Sequence, residues 1–527
     1  MKRLLFLTHR WAGIVIALFM LLWFFTGLII AYSSPLVQSR AQQLAHAQAL
    51  SPEPGWLSLG EAWQRSAEAR KALYRPNSPE SPITDARLLR AAGEPQWLVE
   101  DDRNRRFAVS AIDGELRNFS VEQAQRIAQE WLAADRPGER PAITYLDTLE
   151  ATSSLRNYTE FKPFHRFVVD DGAGTELLIS ARTGDVLQAA TSFERGLYWA
   201  GNWLHFFRPL DALGAGDYRR DALTWVSFAA TLGVLTGLIA GWLRWRPGWF
   251  GRPTYASGDT QPFRAFWMRW HFWTGLIGGS FALFWAFSGF LTNNPWQIFS
   301  PATPSREELA RYQGTKVPEV IRNWRPQAAS KADGGAGTEV AELDWRRLGD
   351  QAVLLAYTRD GNRLPQNVAG TASQFDEATL LAAAQRLADG TKIAAQTLQQ
   401  DYDSYYYPTH HQGLAEKPLP VLHVELADPG HTHLYLDPQD GRLLSKQDSS
   451  RRAFRWLVGA VHHWDFGWLY YRPLWDAWML TWIGFGLVLS ASSVVIGWRR
   501  LRITFGFGQK SRRKAPRSPE LAAASEA

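Results

Sequence analysis

Residues 271–289 read HFWTGLIGGSFALFWAFSG, and residues 9–27 read HRWAGIVIALFMLLWFFTG. Both open His-x-x-x-Gly, both reach a Ser/Thr-Gly pair, and in both the final glycine stands eighteen residues after the histidine. Each run supplies roughly 20 apolar residues, which at about 1.5 Å per residue cross a hydrocarbon core of about 30 Å. A second pair obeys the same rule: RGLYWAGNWLHFF from Arg195 aligns with RAFRWLVGAVHHW from Arg452, so His205 matches His462. The helix after each ends alike, GWLRWR at 241–246 and GWRR at 497–500. The pattern predicts an internally duplicated membrane protein carrying four histidines related two by two.

Four segments are predicted to span the membrane: 11–32, 222–243, 272–293 and 476–498. The first is too long, and too plainly repeated, to be a cleaved signal peptide. Basic residues set the orientation. Lys2, Arg3 and Arg10, five arginines between 244 and 270, and eight Lys or Arg in the tail face only three acids in those stretches. Since the whole chain is +6, the remainder is net negative. The positive-inside rule then places both termini and the 244–270 loop in the cytoplasm of a bacterial inner membrane, with the large polar segments in the periplasm. The basic balance is thus explained without nucleic acid. With no cysteine, disulfides, iron–sulfur clusters and covalent haem attachment are excluded. With four methionines, histidine is the main nitrogen or sulfur ligand.

The expected fold is a four-helix membrane α-helical part with internal duplication beside an α+β periplasmic domain. In chain order it comprises helix 1 (1–32), outer units (33–194), a His-bearing segment with helix 2 (195–243), a cytoplasmic loop (244–270), helix 3 (271–293), further outer units (294–450), a second His-bearing segment with helix 4 (451–498), and a basic tail (499–527). In the outer segments, SVEQAQRIAQEWL (120–132) reads as an amphipathic helix with a Ser120/Gln123 capping box. Residues 58–69 read as another helix, 375–388 as a third, and Asp113-Gly114 and Thr183-Gly184 as hairpin turns. QAASKADGGAGTEV (327–340) has the composition of a flexible insertion, and His46 falls in a linker.

LTHRWAG, MRWHFWTG, NWLHFF, HHWDF and the run YRPLWDAWMLTWIGFGLVLS before GWRRLR resemble the PepSY-associated transmembrane proteins, and TGDVL and LDPQDGRLL resemble PepSY hairpins. Members of that family include iron-regulated inner-membrane proteins and ferric-siderophore reductases. The resemblance implies a four-helix membrane part beside an α+β periplasmic domain, and haem-dependent reduction of siderophore iron. One departure is Ser493, which the helix alignment pairs with Gly237.

The residues themselves point to haem. Ionisable side chains in membrane helices are functional candidates by default, and imidazole alone holds haem b without covalent attachment. The duplication predicts that His9 and His271 clasp one haem at the cytoplasmic edge and His205 and His462 a second at the periplasmic edge. His463 is a rival for His462. Gly13 and Gly275 would clear space for the macrocycle, and Arg10 and Arg269 would reach its propionates. One isolated interfacial histidine is ordinarily only a headgroup-level polar residue; the pairing argues for a cofactor.

Secondary candidates are Tyr406, Tyr407, His410 and His411 as contacts for a ferric chelate, and His431 with His433 on one strand face as a metal pair. No nucleotide-binding or nucleophile motif occurs in a credible setting, so a quinol or a cytoplasmic reductase would donate the electrons. The expected activity is reduction of a periplasmic acceptor, ferric-siderophore iron. The alternatives are a non-redox accessory protein that binds a partner or restrains a protease, and a transporter subunit.

Overall fold

A computed structural model describes residues 1–73, 81–135, 138, 141–314, 317–326, 339–409, 416–469 and 471–505. It divides into two units. One comprises Met1–Leu28, Leu204–Pro295 and Tyr471–Ala527, the other Ile29–Trp203 and Trp296–Tyr470.

The first unit is built on helices α1 (Lys2–Tyr32), α2 (Arg219–Arg244), α3 (Phe266–Thr292) and α4 (Leu474–Thr504). All four are long and apolar enough to cross a membrane. Each starts before its expected first residue, because away from water a backbone satisfies its polar groups only by continuing the helix. His9 and His271 therefore lie inside α1 and α3. Outer faces keep Val15, Leu18, Leu235, Ile277 and Leu480 exposed, as side chains meeting lipid do.

Small residues close the bundle into a ring. A Cβ at Gly233 of α2 would lie 2.4 Å from Ile16 of α1, and one at Gly279 of α3 would lie 2.7 Å from Leu238 of α2. A Cβ at Gly278 of α3 would meet Phe485 of α4 at 2.8 Å, and one at Gly486 of α4 would meet Phe24 of α1 at 2.3 Å. With no hydrophobic drive between helices in lipid, such close approach supplies the packing attraction. Hydroxyls in the spans donate to carbonyls one turn back, as Thr26 does to Leu22 at 2.8 Å and Ser288 to Phe284 at 2.6 Å.

Among its described residues the second unit holds fifteen strands: β1 (Ile83–Ala91), β2 (Glu94–Asp101), β3 (Arg106–Ser110), β4 (Leu116–Arg117), β5 (Ile143–Leu149), β6 (Phe164–Val169), β7 (Glu176–Ser180), β8 (Val186–Ala190), β9 (Val340–Leu348), β10 (Gln351–Thr358), β11 (Arg363–Gln366), β12 (Ile393–Gln399), β13 (Val421–Leu426), β14 (His433–Leu436) and β15 (Leu443–Gln447). Their pairings are antiparallel. The two outer segments are not independent bodies. β1 pairs with β9 through Arg87–Asp344, Leu88–Leu343 and Leu89–Glu342, giving one sheet ordered β11-β10-β9-β1-β2-β3-β4. Charges at this seam are paired: Arg87 reaches Asp185 at 3.1 Å and Glu342 at 3.4 Å, Arg40 also bonds Glu342, and Arg346 holds Asp344 at 2.5 Å.

Two four-stranded sheets, β5-β6-β7-β8 and β12-β13-β14-β15, share one strand order. Each buries a helix. Val121–Asp135 sets Ala124, Ile127 and Ala128 against Phe167, Leu177 and Ile179, and Glu377–Leu387 sets Leu380, Ala383 and Ala384 against Leu422, Val424 and Leu434. The Ser120/Gln123 box forms, at 2.9 and 3.3 Å. The 58–69 segment breaks at Ser66 into Leu59–Arg65 and Ala67–Lys71. His46 is no linker residue: it ends the helix Arg40–Ala45, stacks on Trp131 at 3.8 Å and bonds Asp135 at 2.7 Å. Most of the expected insertion, 327–338, lies outside the described residues, whereas Val340 opens β9.

Candidate functional site in the helical bundle

His9 and His271 face one another. Their ring centres are 6.1 Å apart and their planes tilt by 32°. A metal–imidazole bond of about 2 Å and about 1 Å from nitrogen to ring centre, on each side, places two axial imidazoles roughly 6 Å apart. The observed spacing therefore fits one iron between the two rings.

Hydrogen bonds decide which nitrogen carries the lone pair. Nδ1 of His9 stands 3.1 Å from the carbonyl of Gly233, which can only accept, so Nδ1 bears the proton. Nδ1 of His271 stands 3.1 Å from Oγ of Ser493, whose own proton is donated to the carbonyl of Leu489 at 2.7 Å. That hydroxyl oxygen is left as the acceptor, so Nδ1 of His271 is also the donor. In both rings Nε2 is the lone-pair nitrogen, and among the described residues neither Nε2 has a hydrogen-bond partner. This is the tautomer a ligating histidine needs, fixed by its surroundings.

Glycine makes room for the rings. A Cβ at Gly237 would lie 2.6 Å from Cε1 of His9. One at Gly13 would meet nothing within 4 Å, so its face of α1 is open. Gly275 differs: its Cβ would press on Leu489 at 3.3 Å, so it serves helix packing as much as clearance. Between the helices lies a cavity of about 430 Å³ lined by both histidines, Gly13, Gly237 and Gly275, together with apolar residues from all four helices.

Arg10 lines this cavity, with Arg244 and Arg500. Arg269 does not: its side chain is exposed, because its position on α3 turns it off the cavity face. The signal for the other two was the shared helix ending, where Arg244 follows Gly241 and Arg500 follows Gly497 by three residues. Arg244 also stacks on Phe6 at 4.4 Å, which holds the guanidinium beside the apolar lining.

A family model described as PepSY-associated TM region matches residues 6–374. The chain belongs to this family. The match takes in α1, α2, α3 and His9, His205 and His271 of this PepSY-associated protein; His462 and α4 lie beyond it. No curated protein sequence matches the chain.

His205 follows a π-helical turn, Trp199–Trp203, and belongs to the helical unit. Its Nδ1 stands 2.9 Å from Oγ1 of Thr26, whose proton goes to Leu22, so here too Nε2 is the lone-pair nitrogen. Burial pulls the pKa of the His205 ring down to about 4. His462 and His463 follow a comparable turn, Arg455–Ala460, in the sheet unit, with ring centres 5.2 Å apart.

Tyr406 is no surface contact for a chelate: it is fully buried, stacked on Tyr435 at 4.9 Å, and donates to the carbonyl of Pro418 at 2.8 Å. The hydroxyl of Tyr407 is taken by Asp465 at 2.7 Å. His410 and His411 lie outside the described residues. His431 is not on a strand face with His433; it sits in the preceding loop at φ 44°, bonded to Glu425 at 3.3 Å, and β14 starts at His433.

Proposed function

We propose that this protein is a bacterial inner-membrane electron-transfer protein that holds haem b between His9 and His271 and reduces a periplasmic acceptor, most simply the iron of a ferric siderophore. The observation that carries this reading is the pair of facing imidazoles, 6.1 Å apart, each locked with Nε2 as the free lone pair. A structural role for two histidines would not call for matched tautomers aimed at a cavity between them.

In this reading His9 and His271 would hold the haem through their Nε2 atoms. Gly237 keeps a side chain off the His9 ring, and Gly13 leaves its face of α1 open. Arg10, Arg244 and Arg500, which line the cavity, would bind the carboxylates that a b-type haem carries, through charge-assisted hydrogen bonds. The apolar lining excludes water and, with the Nδ1 partners, tunes the redox potential. When bound, the haem supplies one-electron chemistry. The donor is a quinol or a cytoplasmic reductase, since the chain carries no nucleotide motif of its own. The imidazole of His205, held by Thr26 in the same tautomer, supports the expectation of a second haem on that histidine.

The test is a reduced-minus-oxidised spectrum and haem stoichiometry on protein purified from membranes. A b-type spectrum whose intensity falls by the same amount in His9→Ala and in His271→Ala is expected. Wild-type protein without haem, or variants that keep all of it, would overturn the reading.

A further inference from the structure

The four-stranded sheet β12-β13-β14-β15 gathers buried nitrogen and oxygen atoms without hydrogen-bond partners on one face. Residues directly opposite each other in an antiparallel pair project to the same side. His423 pairs with Tyr435, Glu425 with His433, and His433 with Gln447, so His423, Glu425, His433, Tyr435 and Gln447 share a face. The rings of His423 and His433 lie 4.8 Å apart, tilted by 51°. Nε2 of His423, Nδ1 of His433 and Oε1 of Gln447 are all buried without a hydrogen-bond partner.

The amide orientation of Gln447 is fixed, because its Nε2 donates to the carbonyl of Tyr405 at 2.8 Å, which can only accept. Three orphaned heteroatoms in one patch are unfavourable, since a buried polar atom pays for its desolvation when no partner replaces water. Something that accepts lone pairs would satisfy all three.

We infer that His423 Nε2, His433 Nδ1 and Gln447 Oε1 form a binding site for a divalent transition-metal ion. Two imidazoles select zinc and the later first-row metals over magnesium or calcium, which prefer all-oxygen sets. Among the described residues no group of three His, Asp or Glu side chains is set to hold a metal, so the protein supplies two nitrogens and an amide oxygen, and water completes the shell. Charges of both signs act on the rings: at His423 the carboxylates of Asp403 and Glu425 outweigh the guanidinium of Arg452, whereas at His433 Arg452 is the stronger neighbour. Burial holds both rings toward the neutral form that binds metal. The rings are half-buried at the sheet surface, while the three donor atoms themselves are buried. The site stands on the sheet unit alone and is independent of haem in the bundle.

The experiment is titration of the chelator-stripped full chain, in detergent, with Zn²⁺ in competition with a chromophoric chelator. His423→Phe and His433→Phe keep a ring for packing and delete the nitrogens. Wild type is expected to hold one equivalent more than the double variant. Each single variant should weaken that equivalent roughly tenfold or more. His431→Ala should match wild type, and Mg²⁺ should not compete. Equal zinc stoichiometry and affinity in wild type and the double variant, or no binding by wild type, overturns the inference. Co²⁺ absorption of the wild type gives a second readout: bands of a nitrogen-ligated ion support the site, and a spectrum of the hydrated ion alone overturns it.

Discussion

Ser493 accepts the Nδ1 proton of His271 on one side of the bundle, at 3.1 Å, while on the other side Gly237 leaves space for the ring of His9, which bonds the carbonyl of Gly233 instead. These two positions depart from the repeated helix pattern, and they serve the same end by different means. Outer partners of a ligating histidine typically alter metal affinity or activity by about 10- to 100-fold. Ser493→Ala is expected to keep the fold and lower haem retention by roughly tenfold. Haem stoichiometry after purification, with a redox titration of what remains, checks it.

Gly237→Ala acts on the other ring and more severely. The new Cβ would stand 2.6 Å from Cε1 of His9, so the imidazole must leave its position or the helices must part. Haem content should fall as far as in His9→Ala, whereas Gly13→Ala, with nothing within 4 Å of its Cβ, should cost far less. Equal losses at the two glycines would show that His9 is not held where it ligates.

The facing of His9 and His271 was legible in the sequence because the same residue recurs at the same offset in two stretches, and the bundle followed from apolar length. What the letters hid were the Nδ1 partners. A carbonyl of α2 and a serine of α4 reach histidines more than 200 residues away in the chain, and a backbone carbonyl has no side-chain signature. The β1–β9 seam was hidden for another reason. ITDARLLRA and VAELDWRRL carry too many charges to read as central strands, yet Arg87, Glu342 and Asp344 are tolerated because each finds an opposite charge. Edge strands β5 and β12 stayed unread because most of their residues are exposed and give no periodicity.

The sheet unit has its own point of failure. Arg363 holds Asp437 at 2.5 Å and Asp440 at 2.6 Å, and both carboxylates are buried. Those two acids lift the arginine above its ordinary value despite the cost of burial. Arg363→Leu leaves Asp437 with Arg442 at 3.5 Å as its nearest cation. Removing one partner of a buried pair costs about 3–5 kcal/mol, and since Arg442 still bonds Asp440 at 2.6 Å the expected loss is at the lower end, about 3 kcal/mol. Chemical denaturation followed by circular dichroism of the strands measures it.

His205 gives the haem-free protein a pH dependence whose sign follows from the environment of the ring. Burial lowers its pKa from 6.5 to about 4, so the folded protein keeps it neutral where the unfolded chain would protonate. Between those values the unfolded state binds more protons, and stability must fall as pH falls. The contribution is fully present above about pH 6.5 and is lost progressively toward pH 4. A tenfold change in proton affinity is worth about 1.4 kcal/mol, and with partial exposure reducing the effect the swing is roughly 1–3 kcal/mol. His205→Phe should flatten thermal stability across this window. Thr26→Val removes the acceptor of the Nδ1 proton, 2.9 Å away, and should lower stability at pH 7 while leaving the slope in place. A slope unchanged in His205→Phe would show that another group titrates there.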